Sequence, residues 1–154
     1  MEKNIKLLIL DVDGVLTDGK LYIADDGTET KSFHVQDGLG LKLLSENAIA
    51  VAVISGRKSK ATMLRLEELG IKHSYYGVID KTQPFNLLKQ QLRLQNENIA
   101  CIGDDLPDLP IIQTAGFGIA VANAVLKVRQ AADYVTKAKG GEGAVREICD
   151  IILG

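Results

Sequence analysis

Residues that carry soft-metal and redox chemistry are scarce in this chain: its 154 residues include two cysteines and two histidines. Cys101 and Cys149 lie far apart among apolar neighbours, which predicts free buried thiols rather than a disulfide, a zinc pair or a nucleophile. His34 and His73 have no partners at metal-ligand spacing and read as structural or peripheral. A strong charge imbalance is also missing. The formal charge of -2 gives no reason to expect nucleic acid or an anionic membrane as partner. No apolar stretch approaches the roughly 20 residues of a membrane helix. Met1-Glu2-Lys3-Asn4 leads directly into a strand without a signal-peptide pattern, so a cytoplasmic protein is expected. There is no internal repeat, linker or low-complexity tract. The length suits a single domain over 1–154 with its own core. The 46% hydrophobic and 25% charged content is ordinary for a globular chain.

What is present is concentrated in one stretch, Asp11-Val12-Asp13-Gly14-Val15-Leu16-Thr17-Asp18-Gly19. It follows the apolar run Ile5 to Leu10, broken only by Lys6, which reads as a strand buried on both faces. Asp11 and Asp13 then share one side of extended chain at its carboxyl end. Two such acids repel unless a cation or a shared proton intervenes. Asp and Gly are also ordinary turn residues, so this stretch alone leaves a site and an acidic turn both open.

Further along, residues 20–24 and 29–35 flank Asp25-Asp26-Gly27-Thr28, a hairpin signal. Leu21, Ile23, Phe33 and Val35 alternate, so one face of it needs cover. The hairpin is a candidate for subunit contacts or for a lid. A helix over 37–47, capped by Asp37, would bury Leu39, Leu41, Leu43 and Leu44. Ile49–Ile54 is the next strand, then Ser55-Gly56-Arg57 opens a helix that ends at Gly70. A short strand at 74–76 precedes a helix over 81–94, with Pro84 in its first turn. Ile99–Ile102 ends in Gly103-Asp104-Asp105-Leu106-Pro107-Asp108. A helix over 105–115, a strand at 117–121, a helix at 124–131, a short strand at 133–135 and a final amphipathic helix complete the chain.

Strands alternating with helices predict an α/β fold, a doubly wound, Rossmann-like three-layer parallel sheet with the hairpin inserted after the first strand. In such sheets ligands bind beyond the carboxyl ends of the strands. Asp11 and Asp13, Ser55-Gly56, and Asp104-Asp105 each follow an apolar run, so they gather on that one edge. Turn chemistry alone does not produce such convergence. Asp11, Asp13 and Asp104 supply hard oxygen ligands of the kind that suit Mg2+. A carboxylate is also a competent nucleophile toward phosphorus. Lys81, at a helix start, offers positive charge for the meeting of two anions, though taken singly it is also an ordinary solvated helix lysine. Ser55 with the amides of Gly56 and Arg57 offers a phosphate cradle. Asp13 is placed to exchange a proton with the leaving oxygen. Asp105 can serve simply as a helix cap. Arg57, Arg65, Arg129 and Arg146 could each grip a substrate carboxylate, or form surface ion pairs.

Asp11-x-Asp13-Gly14-Val15, Ser55-Gly56, Lys81 and Gly103-Asp104-Asp105-x-x-Asp108 resemble, in order, the four motifs of the haloacid dehalogenase superfamily of phosphotransferases. The resemblance implies Asp11 as nucleophile and Asp13 as acid/base. It implies Mg2+ on Asp11, the Asp13 carbonyl and Asp104, the phosphoryl group on Ser55 and Lys81, and Asp108 orienting Lys81 or a metal-bound water. Leu16-Thr17-Asp18-Gly19, Phe33 to Gly38, Ser55-Gly56-Arg57, Ala132 to Thr136 and Gly140 to Glu147 are moreover similar to the 3-deoxy-D-manno-octulosonate 8-phosphate (Kdo 8-phosphate) phosphatases. That family lacks a large cap, releases Kdo for lipopolysaccharide assembly, and forms homotetramers in which the hairpin packs between subunits. The resemblance thus implies a sugar-acid phosphate as substrate, with Arg57, Arg65 and Arg146 as candidates to bind it. A phosphatase for a nine-carbon sialic-type sugar phosphate is the alternative within the fold. A receiver-like signalling module is the alternative outside it; its phosphorylated Asp would sit on a middle strand, where this chain has Ser55.

Overall fold

Four consecutive aliphatic residues, Leu7–Leu10 (β1), are buried because the strand they form lies inside a sheet with neighbours on both edges. In the computed structural model, which describes residues 4–154, β1 pairs in parallel with Ala50–Ile54 (β4) and with Ile99–Gly103 (β6). The expectation for Met1 to Lys3 lies outside the described residues. Leu10 faces Val53 on one side and Ile102 on the other, so three strand ends are level. His73–Tyr75 (β5) extends the sheet beyond β4, and Phe117–Ala120 (β7) and Tyr134–Val135 (β8) extend it beyond β6. The resulting order is β5-β4-β1-β6-β7-β8, all parallel. Winding reverses between β1 and β6. Because crossovers keep one hand, this reversal places helices on both faces, giving a three-layer α/β fold. It also opens a crevice at the carboxyl ends of β1 and β6.

The helices are Val35–Glu46 (α1), Lys60–Glu68 (α2), Thr82–Gln91 (α3), Leu109–Thr114 (α4), Leu126–Ala131 (α5) and Ala144–Leu153 (α6). Most boundaries fall near the sequence expectations, and three differ for identifiable reasons. Helix α1 starts two residues early because His34, not Asp37, caps it: the Gln36 amide donates to His34 Nδ1 at 3.1 Å. Asp37 is instead buried, where its Oδ1 accepts the Arg146 amide of α6 at 2.9 Å. Leu41 and Leu44 are buried as expected, but Leu39 is about half exposed. Gly38 and Gly40 complete the inner face of α1. At Gly40 a Cβ would stand 3.0 Å from both Arg146 Cδ and Cys149 Cβ, so the absent side chain lets α6 pack close. Second, α2 begins at Lys60 behind the Ser59 cap; the Ser55-Gly56-Arg57 segment is a turn before the helix, not its start. Third, Asp105 caps a short 3-10 turn, Leu106–Asp108, and α4 follows from it.

The hairpin is shorter than its β-prone flanks suggested. Tyr22–Ile23 (β2) and Glu29–Thr30 (β3) pair antiparallel, and Val35 already belongs to α1. Among the described residues no large cap is inserted. Cys101 and Cys149 are free and buried, as expected. Among the described residues no helix is long and apolar enough to cross a membrane.

Candidate active site

Lys81, the residue preceding α3, is 3% exposed, and a buried ammonium is tolerable only if its donors are satisfied. All three are. It donates to Asp11 Oδ1 at 3.0 Å, to Asp108 Oδ1 at 2.7 Å and to the Ile54 carbonyl at 2.9 Å. The ends of β1 and β4 and the 3-10 turn after β6 are thereby joined through one nitrogen. Burial works against the charge, but Asp11 and Asp108 outweigh it and raise the Lys81 pKa.

Asp108 is fully committed. Its second oxygen accepts the amides of Asp104 at 3.0 Å and Asp105 at 3.3 Å. Gly103 is required beneath it, since a Cβ there would meet Asp108 Cβ at 2.3 Å. Asp11, Asp104 and Asp108 each bring an oxygen within 4.8 Å of the others. One buried lysine does not balance three carboxylates. Burial and then repulsion by Asp108 raise the Asp11 pKa, against the pull of Lys81. Burial, the Asp11 charge and the hydrogen bond that protonated Asp104 gives Asp11 raise Asp104 further. This all-oxygen set, short of positive charge, fits a small hard divalent cation. With Asp108 engaged, Asp11 and Asp104 are the carboxylates available to hold it.

The loop after β1 is packed to present these groups. Gly14 has φ +89°, and a Cβ on it would lie 2.0 Å from Asp104 Oδ2, so only glycine lets Asp104 reach Asp11. Thr17 Oγ1 accepts the amides of Gly14 and Gly19, both at 3.2 Å. Asn123 donates to the Gly14 carbonyl at 3.1 Å and accepts the Gly140 amide at 2.7 Å, clamping the glycine loop before α6 onto the first motif. Asn123 follows β7 at the same sheet edge as Asp104. The strand-end rule that found Asp104 would have found Asn123 too.

Asp11, Asp13, Gly56, Arg57, Lys81, Asp104, Asp105 and Asp108 line one open cleft of about 310 Å³. Ser55 is buried beneath it, its Oγ accepting the Arg57 amide at 3.2 Å, so that amide turns inward toward Ser55. Asp13 forms an ion pair with Lys31, and Arg57 grips Glu29 bidentately at 2.9 and 3.0 Å. Lys31 and Glu29 were missed in sequence. Glu29 opens β3 and Lys31 follows its last residue, and in extended chain the i, i+2 spacing puts both on one side, a polar alternation overshadowed by the apolar one. Arg65 and Arg146 are not brought to this cleft. Arg65 pairs with Glu68 at 3.2 Å, and Arg146 with Asp150 at 2.9 Å. Arg129 donates to the Ala124 carbonyl.

Comparison with known proteins agrees with this geometry. Residues 75–148 match the model of the haloacid dehalogenase-like hydrolases. The chain is 47% identical over 98% of its length, and 80% of the relative's, to the 3-deoxy-D-manno-octulosonate 8-phosphate phosphatase KdsC of Escherichia coli K12. The chain belongs to the family of Kdo 8-phosphate phosphatases. Two solved structures superpose over 98% of it. One is a haloacid dehalogenase superfamily hydrolase of Legionella pneumophila (54% identity, 83% of that chain, TM-score 0.96). The other is the Kdo 8-phosphate phosphatase of Moraxella catarrhalis with magnesium, phosphate and Kdo (48% identity, 87% of that chain, TM-score 0.95).

The raised carboxylate pKa values carry a consequence for stability. Asp11 and Asp104 bind protons more tightly folded than unfolded, so their contribution to stability falls as pH rises above the unfolded carboxylate range. A bound divalent cation removes that penalty. The gain in Tm on adding the cation is therefore expected to be larger near pH 8 than near pH 5, and Asp104→Asn to abolish most of the difference. Thermal unfolding with and without chelator checks this. A gain independent of pH would contradict it.

Proposed function

We propose that this chain, acting as one phosphatase domain over 1–154, hydrolyses Kdo 8-phosphate to Kdo and phosphate through an aspartyl phosphate, supplying lipopolysaccharide assembly. The carrying observation is Asp11, half-buried at the end of β1 with one oxygen on Lys81 and the carboxyl lining the cleft. Asp11 attacks phosphorus. Ser55 holds a phosphoryl oxygen, Lys81 turns the hydrogen bond it gives Asp11 over to another as the substrate enters, and the Lys81 charge eases the approach of two anions. Asp13 gives a proton to the departing sugar oxygen, then takes one from the water that attacks the phosphoaspartate. Asp108 holds Lys81 in place through the 2.7 Å hydrogen bond. Asp11, Asp104 and the Asp13 carbonyl would hold Mg2+, which supplies charge neutralisation at the phosphoryl group. Arg57 lines the cleft; with its fork on Glu29, it is its positive charge that it offers the carboxylate of a sugar acid.

The hairpin supports assembly into a homotetramer. Leu21 and Ile23 of the hairpin are 56% and 65% exposed, and Val35 at the start of α1 is 76% exposed, apolar side chains left uncovered by the described residues. Two unbridged cysteines suit a cytoplasmic protein.

Phosphate release with Mg2+ is the direct test, measured on Kdo 8-phosphate, a nine-carbon sialic-type 9-phosphate and hexose phosphates, with Asp11→Asn as the blank. A clear preference for Kdo 8-phosphate, lost by more than about a thousandfold in Asp11→Asn, is expected. Preference for the nine-carbon acid would keep the chemistry and change the pathway. Near-normal turnover by Asp11→Asn would remove Asp11 as nucleophile. For assembly, light scattering should give a tetramer, and Ile23→Asp a smaller species. A monomeric parent protein would overturn that reading.

A further inference from the structure

The cleft mouth carries a closed ring of alternating charge that the four motifs do not account for. Lys31 Nζ contacts Asp13 Oδ1 and stands 3.6 Å from Glu29 Oε1. Glu29 holds Arg57 through both its oxygens, and Arg57 Nη1 returns to Asp13 Oδ1 at 3.9 Å. Two cations and two anions from the hairpin region, the first motif and the turn after β4 therefore neutralise one another. The positions within the ring are not equivalent. The Lys31 side chain is 3% exposed, whereas that of Arg57 is 46% exposed. Lys31 is thus a desolvated cation whose salt-bridge partners among the described residues are Asp13 and Glu29.

From this placement we infer that Lys31 is a positioning residue for the reaction, fixing the Asp13 carboxyl toward the leaving-group oxygen. The inference rests on Asp13 being the acid/base group. Asp13 sits on a turn rather than on β1 itself, so its backbone does not by itself fix the side chain. Its oxygen is oriented by Lys31, with Arg57 more distant. A lysine that merely pinned the hairpin would be served by any exposed carboxylate. This one pairs with Asp13, the cleft-lining residue that must exchange a proton in both half-reactions. The hairpin, brought down by the Glu29–Arg57 pair, thereby becomes part of the proton-transfer geometry.

The test uses the dependence on leaving group. A sugar alkoxide must be protonated as it departs, whereas p-nitrophenolate leaves without help. The value of kcat/KM is measured for Lys31→Met, Lys31→Arg and Asp13→Asn with Kdo 8-phosphate and p-nitrophenyl phosphate. A hexose phosphate replaces the first if it is the better substrate. Lys31→Met is expected to lose roughly ten- to a hundredfold on the sugar phosphate and under about threefold on the aryl phosphate, within the range of acid–base catalysis. Lys31→Arg should recover most of the loss, and thermal unfolding confirms that each variant folds. Equal losses on both substrates in Lys31→Met, or no loss on either, would overturn the inference and leave Lys31 a structural ion pair. If Asp13→Asn itself treats both substrates alike, the acid/base reading fails and takes the inference with it. Discrimination by Asp13→Asn without discrimination by Lys31→Met would overturn the role of Lys31 alone.

Discussion

The Lys81 ammonium is the interaction on which the site depends. It sits among side chains that exclude water, so it must be bound on every side, and it finds acceptors on Asp11, Asp108 and the Ile54 carbonyl. Removing one partner from such a buried charge typically costs about 3–5 kcal/mol, so the arrangement resists piecemeal change. The register of β1 with β4 and β6 keeps the strand ends level, and Lys81 converts that alignment into a fixed position for Asp11. Fold and chemistry meet at one nitrogen.

Around that nitrogen the acids are more numerous than folding alone would favour. Asp104 reaches Asp11 only because Gly14 has no side chain; burial and then the Asp11 charge raise its pKa, while burial and then Asp108 raise that of Asp11. Crowded like charges destabilise a fold unless something else is meant to occupy the space between them. The clamp formed by Thr17, Asn123 and Gly140 holds the first motif against this repulsion. The strain is concentrated where a cation and a phosphoryl group would relieve it.

Much of this was legible in sequence because it follows from short-range rules. Apolar runs ending in acids located β1 and β6, and the alternation of strands with helices located the sheet edge on which Asp11, Ser55 and Asp104 meet. What escaped depended on contacts between distant segments. Asp37 looks like a cap because Asp caps helices; only the approach of α6 over Gly40 shows that its carboxyl serves the Arg146 amide instead. Ser55-Gly56-Arg57 looked like a helix start, yet Ser59 is the cap. Nothing in the sequence singled out Glu29 and Lys31, because their role follows from the hairpin folding onto Asp13 and Arg57. Arg65 and Arg146, indistinguishable from Arg57 by residue type, lie with Glu68 and Asp150.

In the proposed mechanism a carboxylate of the protein, and not water, makes the first attack on phosphorus. The stereochemical course decides this without requiring an intermediate to accumulate. Hydrolysis of a substrate whose phosphoryl group is made chiral with oxygen isotopes, in isotopically defined water, reports the number of in-line displacements. Two displacements, through Asp11 and then water, give overall retention at phosphorus, which is the expected result. Inversion would mean a single displacement by water, and would contradict it.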